Sequence, residues 1–197
     1  MAKSEEQNKI IRDQRYEEIG SAALKVFARK GFAATKISDI TALSKVSYGL
    51  FYHYFESKEH IYEALIFNVL DMFIETVEKA EKKSDSPWEQ LSWFTEITFA
   101  GSLEKASDRH LLIIGALKSD PASEDIKEKM IEKYLTAVKG IARIIENGQA
   151  QGQFMDGDPL ELAVNYISLS QGLTLWNARD LYPIEFSVDK VMRHLKA

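Results

Sequence analysis

Cysteine is absent from this chain of 197 residues. Its absence excludes disulfides, thiol nucleophiles and cysteine metal sites, and leaves the redox compartment open. Hydrophobic runs are short as well, since the longest aliphatic cluster, LLIIGAL at 111–117, is far below the roughly 18 residues needed to span a bilayer. The polar N-terminus, MAKSEEQNKIIRDQR, lacks the apolar core of a signal peptide. We therefore expect a cytoplasmic protein with no membrane partner.

Proline is scarce, and all four prolines lie beyond residue 86. Ser86-Pro87 and Asp158-Pro159 each place a capping residue before a proline in the first helical position, which predicts two helix starts. No segment has the strict alternation of a strand, whereas apolar residues recur at helical spacing along most of the chain. The sequence therefore predicts an all-α fold of about nine helices. The longer ones are expected near 12–30, 58–82, 88–105, 107–118, 124–150, 159–179 and 184–196.

Net charge does not suggest a nucleic-acid-binding protein, because the total is −5. Its distribution is more informative. Residues 1–60 carry ten Lys and Arg against eight Asp and Glu, while the remainder carries 15 against 22. A mildly basic head on an acidic body fits a small DNA-reading domain attached to a larger one. So small an asymmetry also arises by chance and carries little weight alone.

The segment ISDITALSKVSYGLFYHYF, residues 37–55, predicts two short helices joined by a turn. Val46, Phe51 and Phe55 form an apolar side of the second helix. The opposite side is small, then aromatic, and contains Ser47, Tyr48, Gly49, Tyr52 and His53. A helix face without carboxylates suits contact with phosphates. We expect Thr35 to cap the first of these helices and Ser47 to cap the second.

From Gly31 to Leu65 the chain resembles, without gaps, the DNA-binding domain of the TetR family of bacterial transcriptional regulators. The positions that match are Gly31-Phe32, Thr35, Ile37, Asp39-Ile40, Val46-Ser47, Gly49, Tyr52, Tyr54-Phe55 and Ser57-Lys58-Glu59. The resemblance implies a three-helix helix-turn-helix domain at 1–56. It also implies a helical domain for ligand binding and dimerisation at 57–197.

Two positions depart from the family's pattern. Lys45 stands where the family generally has glycine in the turn. A side chain held there at positive φ costs about 1 kcal/mol or more. Either the turn geometry differs, or the cost is retained because Lys45 is useful near phosphate. Tyr48 stands where a shorter polar residue is common, and it can stack on a thymine methyl or donate one hydrogen bond.

The resemblance also implies roles for individual residues in the helix-turn-helix domain. Ser47, Tyr48, Gly49 and Leu50 would meet base edges, and Tyr52 would contact a base or a phosphate. Ser38 is a further candidate for the groove. The DNA backbone would be held by Thr35, Lys36, His53 and Lys58. Lys45, which departs from the family's pattern, is added as a candidate contact through its charge.

In the body the resemblance implies an apolar pocket and a dimer interface built from the last two long helices. The pocket candidates are Trp93, Phe94, Ile97, Tyr134 and Tyr166. The interface candidates are Leu169, Leu173 and Trp176. These residues are chosen by helix position and side-chain size, and ordinary core packing is the competing interpretation for most aromatic residues of the body.

Metal, cofactor and enzyme motifs are not found. His53, Glu56 and His60 have a spacing that could gather three metal ligands, but the helix is expected to break at Glu56, so no metal site is predicted. His110 and His194 are isolated and are interpreted as surface or pocket-lining residues. No phosphate loop, nucleophile elbow or HExxH motif occurs. The sequence therefore predicts neither a cofactor nor an enzyme.

The favoured function is a homodimeric TetR-like repressor. It would bind a near-palindromic DNA operator and be released by an apolar small-molecule effector. The alternative is an all-α enzyme or interaction module that contains an incidental helix-turn-helix. Paired acid and base residues at helical spacing in the body would favour that alternative, and none are found.

Overall fold

A computed structural model describes residues 2–99, 103–118, 124–177 and 187–197 of the chain. Over these residues it confirms the all-α prediction, with nine α-helices, one 3-10 turn and an isolated bridge between Phe154 and Lys196. The helices are α1 Ala2–Ala34, α2 Ile37–Ser44, α3 Tyr48–Tyr54, α4 Lys58–Glu81, α5 Pro87–Phe99, α6 Leu103–Lys118, α7 Glu124–Ala150, α8 Pro159–Asn177 and α9 Val188–Met192. The 3-10 turn covers Arg193–Leu195.

Both proline starts are confirmed. The Ser86 hydroxyl accepts the amide of Glu89 at 3.4 Å, and the Asp158 carboxylate accepts the amide of Glu161 at 2.7 Å. Each cap satisfies an amide that the first turn of a helix leaves unpaired.

Several predicted helix bounds were wrong. The helix expected at 88–105 does not reach residue 105, because α5 is described to Phe99 and residues 103–105 belong to α6. α1 begins at Ala2 rather than near residue 12, and α6 begins at Leu103 rather than at 107. The predicted last helix, 184–196, lies partly outside the described residues. Within them it starts at Val188, where the Ser187 hydroxyl accepts the Lys190 amide at 3.3 Å. It ends at Met192, because the chain tightens there into the 3-10 turn.

Gly31 interrupts α1 directly after residue 30, where the sequence predicts the end of the helix. Its backbone has φ 74° and ψ 166°, which is not helical. Only glycine adopts this conformation without strain. The chain therefore turns at Gly31 before α2 begins.

The helices fall into two compact units. The first comprises Met1–Asn68 with Leu111–Ser123, and the second comprises Val69–His110 with Glu124–Ala197. The division falls inside α4, so the functional boundary expected at residue 56 stays a prediction. The core of the first unit includes the buried side chains of Ile19, Ala23, Phe27, Ile40, Phe51, Phe55, Ile61 and Ile66.

The core of the second unit is larger and joins residues from α4, α5, α7, α8 and α9. It is formed by Val77, Ala80, Leu91, Phe94, Ala137, Val138, Ile141, Ile144, Ile145, Phe154, Ala163, Tyr166, Ile167, Val191, Met192 and Leu195. Two glycines of α7 permit its close packing. A Cβ on Gly140 would lie 2.5 Å from a Val77 methyl carbon, and one on Gly148 would lie 2.0 Å from the ring of Phe154. None of the described helices has the length and apolar character required to cross a membrane.

Candidate functional site

Helix α3 has one buried side and one exposed side. Phe51 is fully buried and Phe55 is 2% exposed, so the predicted apolar side is confirmed. The Ser47 hydroxyl accepts the amide of Leu50 at 3.2 Å, which confirms the predicted cap. This cap and the two buried rings together fix how α3 emerges from the turn.

The exposed side of α3 carries the residues that the sequence places against DNA. Tyr48 and Tyr52 are each 52% exposed. Ser47, Gly49 and His53 are exposed beside them, and Leu50 is half-buried. The helix, YGLFYHY, contains no carboxylate. We call this surface, defined by Ser47, Tyr48, Gly49, Tyr52 and His53, the α3 face.

The turn before α3 keeps the backbone geometry that favours glycine. Lys45 has φ 56° and ψ 38°, and it is the one non-glycine residue with positive φ among the described residues. Its amide bonds to the carbonyl of Thr41, and the Val46 amide reaches the same oxygen at 3.1 Å. The structure thus rejects a changed turn geometry, while the use of Lys45 near phosphate stays a prediction. The turn is unchanged, and an exposed lysine occupies a left-handed position at an energetic cost.

The corner between α1 and α2 engages Lys58. Its ammonium donates to the carbonyls of Phe32 and Thr35, at 3.0 Å each, and lies 4.1 Å from the centroid of the Phe32 ring. Lys58 thereby joins the start of α4 to this corner. Its charged group already has two acceptors within the protein.

Thr35 lies in the same corner and is 2% exposed. Its hydroxyl donates to the carbonyl of Gly31 at 2.7 Å. The expected cap of α2 by Thr35 was wrong, because Lys36 occupies the N-cap position. The Thr35 hydroxyl instead satisfies an orphan carbonyl at the end of α1.

An ion pair that sequence reasoning missed holds the start of α2. The Lys30 ammonium lies 2.9 Å from the Asp39 carboxylate, which also accepts the Lys36 amide at 3.0 Å. The Lys30 hydrogen bond, followed by the Lys36 amide, lowers the pKa of Asp39. The Lys36 side chain itself is exposed, and Ser38 is half-buried. A lysine directly before Gly31 and an aspartate in the first turn of α2 were the available signal.

Three of the five pocket candidates belong to one series of ring contacts in the second unit, which also includes Phe73. The Phe73 ring lies 5.9 Å from Phe94 and 5.8 Å from Tyr134, and Phe94 lies 6.4 Å from Tyr166. Phe94 and Tyr166 are buried in the core, while Tyr134 is half-buried. Core packing therefore accounts for much of this cluster.

Trp93 and Ile97 do not share these ring contacts. Trp93 packs partly buried against the core, with the Lys83 ammonium 5.6 Å from its centroid, and Ile97 is 44% exposed. Polar partners are present inside the cluster. Tyr166 shares a 2.5 Å hydrogen bond with Thr95, and Gln171 donates to the Tyr134 hydroxyl at 2.9 Å. Burial raises the pKa of both tyrosines.

The interface candidates occupy different sides of α8. Trp176 is 46% exposed, whereas Leu169 and Leu173 are half-buried and Leu173 packs on the core. Leu160 and Val164, which the sequence prediction did not include, are 44% and 48% exposed. Steps of four residues connect these positions to Trp176 along one exposed stripe of α8. The stripe consists of Leu160, Val164, Ser168, Gly172 and Trp176.

The first histidine after the α3 face is His60, in α4. His60 accepts the amide of Glu56 through Nδ1 at 3.2 Å, so this nitrogen is occupied. Within the ranges that the structure describes, no three His, Asp or Glu side chains are grouped so that they could hold a metal ion.

Comparison with known proteins places the helix-turn-helix among regulators. Residues 19–65 match the family model described as bacterial regulatory proteins, tetR family. The chain is 26% identical over 171 residues to the fatty acid metabolism regulator protein of Bacillus subtilis (strain 168), covering 84% of this chain and 85% of that protein.

Two solved structures are similar over most of their length. PfmR, a TetR family transcriptional regulator from Thermus thermophilus, is 26% identical with a TM-score of 0.70, over 89% of this chain and 93% of PfmR. A protein from Saccharomonospora viridis in complex with choline is 26% identical with a TM-score of 0.68, over 92% of this chain and 93% of that protein.

Proposed function

The chain belongs to the TetR family of bacterial regulatory proteins, and we propose that it acts as a homodimeric repressor that an apolar small molecule releases from DNA. As a transcriptional regulator it requires a surface that meets a DNA duplex. The α3 face is the observation that carries the proposal. It is exposed, contains no carboxylate, and stands on two buried phenylalanines that fix its direction.

Base reading is assigned to the first turn of α3. Ser47, Tyr48, Gly49 and Leu50 meet base edges, and Tyr52 contacts a base or a phosphate. Ser38 of α2 completes the groove contacts. The small residues Ser47 and Gly49 allow the helix backbone to approach the bases closely, while Tyr48 offers one hydrogen bond or a stacking surface.

Phosphate contacts are assigned to the exposed basic groups around the α3 face, which are Lys36, Lys45 and His53. Each lysine that neutralises a phosphate releases a counterion and makes binding depend on salt. Lys58 and Thr35 receive a different role, because their polar groups already bond within the α1–α2 corner. They position the helix-turn-helix rather than contact DNA through these groups.

Two copies are needed to place two α3 faces in successive major grooves. The exposed α8 stripe supports an interface through Leu160, Val164 and Trp176, with Leu169 and Leu173 at its edge. An introduced charge, Val164→Asp, should dissociate the dimer in sedimentation. Control variant Glu161→Gln should remain dimeric, since Glu161 is exposed one turn earlier.

The effector is assigned to the second unit, where Trp93, Phe94, Ile97, Tyr134 and Tyr166 are the pocket candidates. The proposal is supported by the half-buried ring of Tyr134, whose hydroxyl accepts from Gln171, and by the buried hydrogen bond between Thr95 and Tyr166. Helix α4 contributes residues to both units, so a shift of α4 would change the separation of the two α3 faces. Effector binding in the second unit would thus change DNA binding at the α3 faces through α4, which is allosteric control of DNA affinity.

A gel shift on the DNA upstream of the protein's own gene tests the function. We expect a retarded complex at low salt, which candidate effectors then dissolve. A folded dimer that retards neither this DNA nor any random duplex at low salt would contradict the proposal. Retardation that no effector changes would retain DNA binding and reject the release step.

A further inference from the structure

Helix α1 extends well beyond the core that holds it. Its first buried side chain among the described residues is Ile19, whereas every side chain from residue 6 to residue 15 is exposed. This exposed segment adds about 15 Å to the helix. We call residues 6–15 the α1 arm. Core packing is the usual source of helical stability in proteins, and it does not account for a helical arm that is exposed on all sides.

The α1 arm joins the rest of the first unit beside the end of α3. The Tyr16 ring, directly after the arm, lies 4.9 Å from the ring of Phe55 and 6.4 Å from the ring of Tyr54. The Tyr54 ring in turn lies 5.1 Å from that of His53, which belongs to the α3 face. A series of ring contacts therefore connects the α3 face to the base of the arm.

Two cations of the arm lie on the side of α1 that contacts α3. At about 100° per residue, Lys9 is about 20° from Tyr16 around the helix, and Arg12 is about 40° from it. Along the helix axis they lie about 10 Å and 6 Å beyond Tyr16. The carboxylates of Asp13 and Glu6 lie further round, at about 60° and 80° from Tyr16. The line from Tyr16 through Arg12 to Lys9 therefore continues the α3 face with positive charge.

Both cations are available to bind an anion. Among the side chains that the structure describes, no carboxylate lies within ion-pair distance of Lys9 or Arg12. Arg15, the third cation of the arm, differs because it pairs with Glu18 at 2.5 Å. A lysine binds a phosphate as a point charge, and an arginine can present two N–H groups to two phosphate oxygens.

We propose that Lys9 and Arg12 bind backbone phosphates of the DNA duplex, beside those bound around the α3 face. The inference rests on the proposed function and extends the DNA contact to a segment with no predicted role. When α3 lies in the major groove, the strand that borders the groove passes the end of α3, and the arm reaches it there. Contacts to phosphates carry no sequence information, so the arm increases the affinity for every sequence alike.

The test measures binding of the full chain to labelled duplexes by fluorescence anisotropy at several salt concentrations. Two duplexes of equal length are used, the DNA upstream of the protein's own gene and a random sequence. Lys9→Gln combined with Arg12→Gln should weaken binding to both duplexes by a similar factor, about tenfold at low salt. The slope of log K against log salt should decrease by about 1.8 for each arm, since each neutralised phosphate contributes about 0.9.

Arg15→Gln is the matched control for the single variants Lys9→Gln and Arg12→Gln. It removes one positive charge from the same arm, but this guanidinium is paired with Glu18 and projects about 100° from Tyr16. Each single variant should reduce the salt slope by about 0.9 for each arm, whereas Arg15→Gln should leave it unchanged. Lys9→Arg should retain the slope because it retains the charge. All these side chains are exposed, so every variant should melt at the temperature of the unchanged protein.

Three results would overturn the inference. The first is a double variant with the affinity and salt slope of Arg15→Gln. The second is a loss of affinity confined to the upstream duplex, because a phosphate contact does not distinguish sequences. Both results leave the proposed function standing, since the unchanged protein binds DNA in each. The third is an unchanged protein that binds neither duplex at low salt, which would reject the arm contact and the proposed function together.

Discussion

The two compact units keep their polar chemistry in different places. In the first, the α3 face is exposed, with Tyr48 and Tyr52 each 52% exposed above the buried ring of Phe51. In the second, polar groups are enclosed, since Ser107 is 1% exposed and Thr95 is fully buried. An exposed face suits a partner larger than the protein's own clefts, such as a duplex. Enclosed donors suit a molecule small enough to be surrounded.

The units also depend on different kinds of contact. Helix α7 of the second unit requires glycine where another helix or ring packs against it. The corner of the first unit is held by a lysine that bonds to two carbonyls. Changes in the second unit should therefore alter its core packing first, and changes in the first unit should alter helix position and DNA contacts.

The largest effect is expected from Gly148→Ala in the second unit. The new methyl group would lie 2.0 Å from the Phe154 ring, which itself packs 5.6 Å from Trp88. Overpacking of this kind should cost about 3 kcal/mol of unfolding free energy. Denaturant unfolding followed by circular dichroism measures it.

Gly20→Ala is the control in the first unit, where the nearest atom is 3.7 Å away, and it should stabilise α1 by about 0.5–1 kcal/mol. Equal changes in unfolding free energy for Gly148→Ala and Gly20→Ala would contradict the difference in packing at these two glycines.

The next effect concerns the corner of the first unit. Lys58→Met keeps the aliphatic stem and removes both hydrogen bonds to carbonyls, so it should cost about 2 kcal/mol of unfolding free energy. The salt dependence of DNA binding should not change, because no phosphate contact is lost. Lys36→Met is the control, with an exposed side chain. It should reduce the slope of log K against log salt by about 0.9 and leave stability nearly unchanged. Unchanged stability and a reduced salt slope in Lys58→Met would instead identify Lys58 as a phosphate contact.

A smaller effect is expected at the turn before α3. Lys45→Gly relieves a side chain at φ 56°, so the protein should gain about 1 kcal/mol of stability. The same change should reduce the salt slope of DNA binding by about 0.9 if Lys45 contacts a phosphate. Lys45→Asn tolerates the same backbone and also removes the charge, which makes it a second test of the slope. Greater stability with unchanged DNA binding would show that strain at Lys45 has no function in binding.

The smallest effect is a pH dependence in the second unit. Burial lowers the pKa of His110 below its ordinary value of 6.5. The unfolded chain therefore binds this proton more readily, and the stability of the fold should fall as pH decreases below about 6.5. In His110→Gln this part of the decrease should disappear. Unfolding curves of both proteins at pH 7 and pH 5.5 measure the difference. Parallel losses in the two proteins would contradict burial of the imidazole.

The α3 region was predictable because local chemistry determines it. A serine before Tyr48 caps the helix, and Phe51 and Phe55 at i and i+4 can only face one side. Helix bounds at Pro87 and Pro159 were predictable for the same reason. The geometry of the turn at Lys45 was not predictable, because a lysine stands where the family generally has glycine and the sequence left two alternatives open.

The remaining features depend on contacts between distant residues. Lys58 lies 26 positions from Phe32 along the chain, so its bond to the Phe32 carbonyl has no local signal. Burial of Phe94 and Tyr166 depends on which helices pack, and periodicity does not provide that.

The most direct test of the account is to place a carboxylate on the α3 face. Tyr48→Glu adds a negative charge to the first turn of α3, where an acidic residue favours the helix, and Tyr48 is 52% exposed, so the fold should be retained. The gel shift on the upstream DNA then compares this variant with Tyr48→Gln at equal salt. We predict that Tyr48→Glu loses binding by at least about tenfold relative to Tyr48→Gln, while both melt at the temperature of the unchanged protein. Equal retardation of DNA by the two variants would contradict contact between the α3 face and the duplex.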